Sequence, residues 1–174
     1  MKTNRYQDQT RLTLKAIKYF AAMSEETCCY KAKLYFDGKL AGEVSNRGNG
    51  GCDDYWPAKN AGLINQHLQE YINALDVSTF NSGEASLQVM PDLEMICAHL
   101  LAAHLIEKDY KRAIKNRVLF VENGELRQTK VNISPAVLAS WANNLAERDG
   151  VTHVFNRAAN PEDMAIFNKL AVQS

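Results

Sequence analysis

The chain has 174 residues, close to the common size of one domain, and its 46% hydrophobic and 23% charged residues are ordinary globular values. Twenty Lys plus Arg balance twenty Asp plus Glu, so no net charge draws in nucleic acid or anionic lipid from a distance. This balance excludes a strongly acidic DNA mimic and a basic protein that binds DNA without specificity.

The sequence indicates a cytoplasmic protein. The start, Met1 to Arg11, has no apolar run of the secretory type, and the apolar stretch Ile96 to Ile106 is too short to span a membrane. No C-x-x-C pair occurs, so reduced thiols are favoured over disulfides. The four cysteines are Cys28, Cys29, Cys52 and Cys97.

Residues 1–10 are polar and predict a flexible lead-in. Leu12, Leu14 and Ala16 then alternate with polar residues, which predicts a strand, with a helix as the competing interpretation. The next segment is clearer, because apolar and polar residues alternate on both sides of Asp37-Gly38 from Cys28 to Val44. Asp-Gly between two alternating runs predicts a β-hairpin with a type I′ turn.

The segment Asn46 to Asp54 is rich in glycine and predicts a loop. Pro57 is suited to the first turn of a helix, and apolar residues recur at helical spacing from Ala61 to Leu75. Residues Val77 to Met90, which include Asn81-Ser82-Gly83, predict a connecting loop.

Pro91-Asp92 predicts the start of a long helix that ends near Asn116. A second hairpin follows, with strands Val118–Val121 and Leu126–Val131 joined at Asn123-Gly124. The remaining elements are predicted as a helix from Ser134-Pro135 that turns Leu138, Trp141, Ala142 and Leu145 inward, a strand at Thr152–Phe155, and a helix after Asn160-Pro161.

The pattern as a whole predicts an α+β fold, in which antiparallel hairpins form a sheet packed against three to four helices. We expect a single domain over residues 11–174, with the two hairpins sharing one apolar interior.

The glycine-rich loop is the most unusual segment. Glycines let backbone N–H groups converge on an anion, but the loop lacks the G-x-G-x-x-G and Walker patterns, and its two aspartates would repel a phosphate. A structural turn is therefore favoured, and a ligand site is the alternative. The candidate ligand- or partner-binding residues are Asn46, Gly48, Asn49, Gly50, Gly51, Asp53, Tyr55 and Trp56.

The aromatic residues Tyr35, Tyr55 and Trp56 lie near this loop and the outer hairpin face. Exposed aromatic residues are typical of surfaces that bind proteins or stack on bases. Trp56 is equally compatible with a core anchor below the loop, and both interpretations stay open.

A basic stretch follows on the long helix, where Arg112 and Arg117 accompany three lysines. The stretch can contact phosphate or an acidic partner, but basic residues also favour a helix C-terminus and a solvated outer face, which is the preferred interpretation. The candidate contacts are Lys108, Lys111, Arg112 and Lys115.

Neither a metal site nor a catalytic group is indicated. His99 and His104 are five residues apart, which places them on different sides of a helix. Cys52 follows two glycines but has no histidine close in sequence to activate it. We therefore predict no cofactor and no metal, and we favour a protein that is not an enzyme.

Two sequence motifs resemble a family of small uncharacterised phage- and plasmid-encoded proteins. The first joins Ser24-Glu25-Glu26-Thr27 and the Asp37-Gly38-Lys39 hairpin to Asn46-x-Gly48-x-Gly50-Gly51, and the second is the hairpin from Arg117 to Lys130. Some members carry histidine at the position of Asn49, so any chemistry of that histidine is absent here.

The resemblance implies no activity, only a setting. Accessory proteins of mobile elements often bind and block a host or defence protein, so we expect a non-enzymatic binding protein of this inhibitory type in a bacterial cytoplasm. The first alternative is a protein or enzyme that binds a nucleotide or phosphate through Gly48–Gly51. The second is nucleic-acid binding through the Lys108–Arg117 helix face, which is not favoured. The sequence leaves the oligomeric state open.

Overall fold

A computed structural model of the chain describes residues 4–82, 85–156, 160 and 162–171. The chain divides into two compact units, unit 1 being Met1–Ala102 and unit 2 being Ala103–Ser174. The predicted α+β class is confirmed, because helices and antiparallel sheets build both units. The single domain over residues 11–174 stays a prediction.

Unit 1 contains a four-stranded antiparallel sheet, a helix, a separate hairpin and the start of a second helix. The elements are β1 (Leu12–Tyr19), β2 (Tyr30–Phe36), β3 (Lys39–Asn46), β4 (Asp54–Pro57), α1 (Gly62–Asn73), β5 (Ser78–Ser82), β6 (Ala85–Val89) and α2 (Leu93–Ile114), whose last part belongs to unit 2. The sheet order is β1-β2-β3-β4, so each strand pairs with the next along the chain.

The first predicted hairpin is confirmed as β2–β3. Its turn residues Asp37 and Gly38 have φ values of 47° and 75°, the positive values that a type I′ turn requires. Along β2 the residues alternate between buried and exposed or half-exposed, as the sequence pattern predicts. β1 is also a strand rather than the competing helix.

The inner face of the four-stranded sheet carries the core of unit 1. Leu12, Leu34 and Val44 are at most 1% exposed there. Helix α1 covers this face, and its Tyr71 packs on Phe36 with the ring centroids 5.6 Å apart. Each fully buried side chain of this kind stabilises the fold by about 1.5–3 kcal/mol.

Pro57 does not begin a helix, so this prediction is wrong. Residues Asp54–Pro57 form the edge strand β4, in which Pro57 lies opposite Gly42 and Trp56 opposite Glu43. An edge strand accepts proline because the missing N–H can face away from its neighbour. Pairing with β3 therefore outweighs the local preference of proline for a first helical turn.

The segment Val77 to Met90 is not a plain connecting loop, contrary to the prediction. It contains the hairpin β5–β6, in which Phe80 lies opposite Leu87. Both of these apolar side chains are exposed, so the segment lacks the regular apolar face that predicts strands. Gly83 of the predicted turn lies outside the described residues.

The part of the lead-in from residue 4 onwards packs against other residues of unit 1. Tyr6 is buried, and its ring meets that of His99 edge-on at a centroid distance of 5.8 Å. Asn4 donates from Nδ2 to the Ala74 carbonyl at 2.8 Å, and its own carbonyl accepts the Asp76 N–H at 3.0 Å. These contacts hold Asn4 at the end of α1 and Tyr6 against α2, although the sequence predicts a flexible lead-in here.

Unit 2 contains the end of α2, a three-stranded antiparallel sheet and two further helices. The elements are β7 (Leu119–Glu122), β8 (Glu125–Gln128), α3 (Pro135–Ala146), β9 (Val151–Val154) and α4 (Asp163–Ala171). The second predicted hairpin is confirmed as β7–β8, with φ values of 52° at Asn123 and 82° at Gly124. β9 pairs on the other side of β7.

Strand β7 is buried along its whole length, and its two faces belong to different clusters. Phe120 packs with Ala142 of α3, and Leu119 packs with Phe167 of α4. Trp141, which the helical spacing predicts to face inward, is 46% exposed. The apolar stripe of α3 is therefore narrower than predicted, with Ala142 as its buried centre.

The two predicted hairpins lie in separate sheets rather than in one. The hairpin β2–β3 belongs to unit 1, and β7–β8 belongs to unit 2. The second hairpin is completed by β9, so the side of β7 away from β8 is already paired. Within the described residues, none of the helices has both the length and the apolar character that a membrane span needs.

Candidate functional site

The glycine loop is organised by Asn46, the last residue of β3, which is only 6% exposed. Its Oδ1 accepts hydrogen bonds from Thr27 Oγ1 at 2.7 Å and from the Gly48 N–H at 2.8 Å. Its Nδ2 donates to the Gly51 carbonyl at 2.9 Å and to Asp53 Oδ1 at 3.0 Å. These four bonds occupy the hydrogen-bonding capacity of the amide. Asn46 therefore holds the loop together and is not exposed to a ligand.

Gly48 contacts the segment Ser24–Thr27 at close range. Its carbonyl accepts backbone N–H groups of Glu25, Glu26 and Thr27 at 2.8, 3.0 and 3.3 Å. Converging N–H groups of this kind bind anions in other proteins, but here they enclose a carbonyl of the same chain. The segment Ser24–Thr27 and the glycine loop thus pack on each other.

Backbone conformation explains two of the three loop glycines. Gly48 and Gly50 have φ values of 90° and 89°, which side-chain-bearing residues rarely adopt. A Cβ on Gly48 would lie 2.1 Å from the Met23 carbonyl oxygen, and one on Gly50 would lie 2.1 Å from Glu26 Oε2. Asn49 and Gly51 are exposed, and a Cβ on Gly51 meets no atom within 4 Å. The structure therefore supports the turn interpretation for Gly48 and Gly50.

Asp53 and Tyr55 lie beyond the loop and line a cavity of about 420 Å³ in unit 1. The side chains of Asp92 and Glu94 add two further carboxyl groups to its wall. Asp53 accepts a hydrogen bond from the Tyr30 hydroxyl, and Tyr55 donates to Asn65. Three carboxyl groups disfavour an anionic ligand in this cavity.

Neither metal binding nor thiol chemistry is supported at this cavity. In the part of the chain that the structure describes, no three His, Cys, Asp or Glu side chains are grouped as metal ligands. The exposed thiol of Cys52 lies beside Glu94, whose negative charge raises the pKa of that thiol. A raised pKa lowers the thiolate fraction at neutral pH and so opposes nucleophilic reactivity.

We expect the buried Tyr30 and the half-buried Tyr55 to make the stability of the protein fall at alkaline pH. Burial raises the pKa of Tyr55 from 10.0 to about 12, and burial together with Asp53 raises the pKa of Tyr30. Because the pKa of Tyr55 is higher in the folded than in the unfolded state, the stabilisation by Tyr55 is complete below pH 10 and is lost as the pH rises through about 12. Urea unfolding across this pH range measures the loss. In Tyr55→Phe, the free energy of unfolding should fall less steeply as the pH rises. If its dependence on pH is unchanged, the loss of stability does not come from Tyr55.

Trp56 is half exposed rather than a core anchor, with 53% of its surface accessible. Trp56 of β4 is paired with Glu43 of β3, and Glu43 is paired with Lys33 of β2. Lys33 is paired in turn with Lys15 of β1, so one row of side chains crosses all four strands. Directly paired residues point to the same face of a sheet. We call this solvent-facing surface the outer sheet face; its charged, aromatic and large apolar members are Lys15, Lys18, Lys31, Lys33, Tyr35, Leu40, Glu43, Asp54 and Trp56.

The outer sheet face combines aromatic, apolar and basic groups. Lys15 Nζ lies 4.5 Å above the centroid of the half-buried Tyr35 ring, and Leu40 is 36% exposed. Lys31 pairs with Glu43 at 2.7 Å. Four lysines stand against two carboxyl groups, so the face has an excess of positive charge although the whole chain is neutral.

The predicted basic residues of α2 divide into two groups in unit 2. Lys108 and Lys111 are exposed, and Lys111 pairs with Glu107 at 2.5 Å. Arg112 and Lys115 instead line a cavity of about 530 Å³. Sequence reasoning missed two amide side chains of this cavity, Gln128 and Asn132, because they come from the distant segment after β7.

A histidine–aspartate pair also lies in unit 2 without having been predicted. His153 Nε2 lies 2.8 Å from Oδ1 of the buried Asp163, whose Oδ2 accepts from the Tyr110 hydroxyl at 3.0 Å. Both His153 and Asp163 line a cavity of about 820 Å³. Among the described residues, no hydroxyl or thiol is hydrogen-bonded to His153, so the pair lacks a nucleophile. Its members come from β9 and α4, and no local spacing marks them in the sequence.

The comparisons with known proteins add no candidate function. Neither a protein-family model, nor a curated protein, nor a solved structure matches this chain, so its function is inferred from the arrangement of its own residues.

Proposed function

We propose that this chain is a non-enzymatic binding protein that attaches to an acidic protein partner through its outer sheet face. The observation that supports this most directly is the row Lys15, Lys33, Glu43 and Trp56, which runs across four strands on a face that stays open to solvent. A rigid sheet presents such a row without the entropy loss of ordering a loop.

Trp56 is the anchor of the proposed interface. Tryptophan is enriched among the few interface residues that supply most of the binding free energy, because it buries a large area with few rotatable bonds. The 53% of Trp56 that is accessible in the free protein can therefore become buried in a complex. Leu40 and Tyr35, which pair with each other across β2 and β3 on the same face, extend the apolar area.

The charge on the face favours an acidic partner. Lys31 is paired with Glu43, whereas Lys18 and Lys33 form no ion pair with any described residue. Complementary charge speeds association and excludes partners of the same sign. A protein is favoured over nucleic acid because Leu40 and Trp56 offer apolar contacts while Glu43 and Asp54 would repel a phosphate backbone.

The biological setting in this proposal comes from the resemblance to phage- and plasmid-encoded proteins. In that setting the acidic partner is a host or defence-system protein in a bacterial cytoplasm, and binding blocks its action. The glycine loop acts as a structural support for the sheet edge in this proposal, and the chain needs no cofactor.

Substitutions on the outer sheet face should weaken the complex selectively. Wild-type protein is used to capture partners from bacterial lysate, and an acidic candidate is then purified and its affinity measured directly. We expect Trp56→Ala to weaken binding by about 30-fold, the equivalent of about 2 kcal/mol for one central aromatic residue. Lys33→Glu should also weaken binding, and the loss of affinity should grow as the salt concentration falls, because the repulsion between the introduced carboxylate and the acidic partner is then less screened.

The matched controls are Trp141→Ala and Lys108→Glu, which change exposed residues of the same types in unit 2. Both controls should bind the purified partner like the wild type. The proposal fails if capture depends on nucleic acid and is abolished by nuclease, or if the controls weaken binding as much as Trp56→Ala does.

A further inference from the structure

The cavity of about 530 Å³ in unit 2 is lined by more basic than acidic side chains. Three cationic side chains line it, Arg112, Lys115 and Arg117, together with the amides of Gln128 and Asn132. Asp109 is the one carboxylate among its described lining residues, and it pairs with Arg112 at 3.0 Å. The lining therefore has two more positive charges than negative ones.

The chain brings these cations together because α2 ends at Ile114. Arg112 lies in the last turn of α2, and Lys115 and Arg117 are among the first three residues after the helix ends. The helix dipole explains why cations are favourable at this end of α2. It does not explain why donors from a different segment, Gln128 and Asn132, face the same concavity.

Arg117 is oriented within this group. Its Nε donates to Asn132 Oδ1 at 3.2 Å, which fixes one edge of the guanidinium group. Within the described residues, the terminal nitrogens of Arg117 and the Nζ of Lys115 make no hydrogen bond and no ion pair. Their donors are thus available to an anion, and a concave wall strengthens the local positive potential.

We propose that this cavity binds the phosphate group of a small phosphorylated molecule. An oriented guanidinium group matches the planar spacing of two phosphate oxygens, and charge-assisted hydrogen bonds of this kind are shorter and stronger than neutral ones. Lys115 supplies a mobile point charge, and the amides of Gln128 and Asn132 supply neutral hydrogen-bonding groups. This site lies in unit 2 and does not depend on the outer sheet face.

Calorimetric titration of the full chain with inorganic pyrophosphate tests the site. We expect saturable binding to the wild type and a loss of affinity of about tenfold or more in Lys115→Gln with Arg117→Gln, since each charge-assisted bond contributes at least this factor. The variant Lys108→Gln with Lys111→Gln changes the same number of charges on the last part of α2, outside the cavity lining, and it should bind like the wild type.

Two further measurements keep the outcome interpretable. Arg117→Lys retains the charge but not the planar fork, so we expect an affinity between those of the wild type and the double variant. Sulfate at matched ionic strength should bind more weakly than pyrophosphate. The proposal is overturned if pyrophosphate does not saturate, if sulfate binds equally well, or if the Lys108 and Lys111 control loses affinity to the same extent.

Discussion

Gly48→Ala is expected to lower the free energy of unfolding by about 3–5 kcal/mol, which combines backbone strain with overpacking. The φ value of 90° at Gly48 is unfavourable for alanine, and the added Cβ would lie 2.1 Å from the Met23 carbonyl oxygen. The obstructing atom is backbone, so relief requires the segment around Met23 to move. That movement would weaken the three N–H bonds to the Gly48 carbonyl from Glu25, Glu26 and Thr27. Urea unfolding monitored by fluorescence measures the change.

Gly51→Ala is the matched control, because it makes the same chemical change three residues further along the loop. An added Cβ at Gly51 has open space within 4 Å, and Gly51 is not among the residues with positive φ. We expect its free energy of unfolding to stay within about 0.5 kcal/mol of the wild type. Equal losses in the two variants would contradict a structural role that is specific to Gly48.

Asn46→Ala is expected to destabilise the protein by about 3 kcal/mol or more, because a buried polar group that loses its partner costs roughly 1–3 kcal/mol. The substitution removes the acceptor for the Gly48 N–H and for Thr27, and the donor to the Gly51 carbonyl and Asp53. Hydrogen exchange should show faster exchange of the Gly48 amide in the variant. The midpoint of urea unfolding measures the overall loss.

Asn49→Ala controls for asparagine chemistry within the same loop. Asn49 is exposed, so its replacement should change the free energy of unfolding by no more than about 0.5 kcal/mol. If Asn49→Ala proves as damaging as Asn46→Ala, the loop is not organised around Asn46. The same two variants bear on the ligand alternative, since a ligand that contacts the loop tip would lose affinity in Asn49→Ala while the fold stays intact.

These predictions rest on a structural role for the glycine loop, which supports the edge of the four-stranded sheet. Asn46 ends β3, and Asp53 immediately precedes β4, so the loop joins two paired strands. The bond from Asn46 to Asp53 closes the loop at its base. Because β4 carries Trp56, a loop of defined conformation determines where the proposed anchor of the outer sheet face lies.

The sequence alone predicted the features that depend on neighbouring residues. Asp37-Gly38 and Asn123-Gly124 both form hairpin turns, because positive φ at both central positions is a local requirement that these residue pairs meet. The long helix α2 was predicted for a similar reason, since its periodic apolar residues and its start near Asp92 are visible within a single segment.

Features that depend on a distant partner were predicted poorly. Pro57 carries a local signal for a helix start, but pairing of β4 with β3 makes it part of a strand. The exposure of Trp56 depends on which face of β4 it occupies, and this is determined by the register with Glu43. The hairpin β5–β6 has too little apolar alternation to be recognised without its cross-strand pairs.

The candidate sites show the same division between local and distant information. The sequence alone predicted a loop over residues 46–54, because glycines in such density are unfavourable in helices and strands, and the structure forms it over residues 47–53, between the ends of β3 and β4. Only the tertiary structure decided that the N–H groups of Glu25 to Thr27 enclose a carbonyl of this loop, and that Arg117 meets Asn132 in a basic cavity. These contacts join residues that lie 15 positions apart for Arg117 and Asn132, and more than 20 positions apart (about 21–23) for the bonds to Gly48. Their geometry depends on strand register and helix ends, which no short window of sequence specifies.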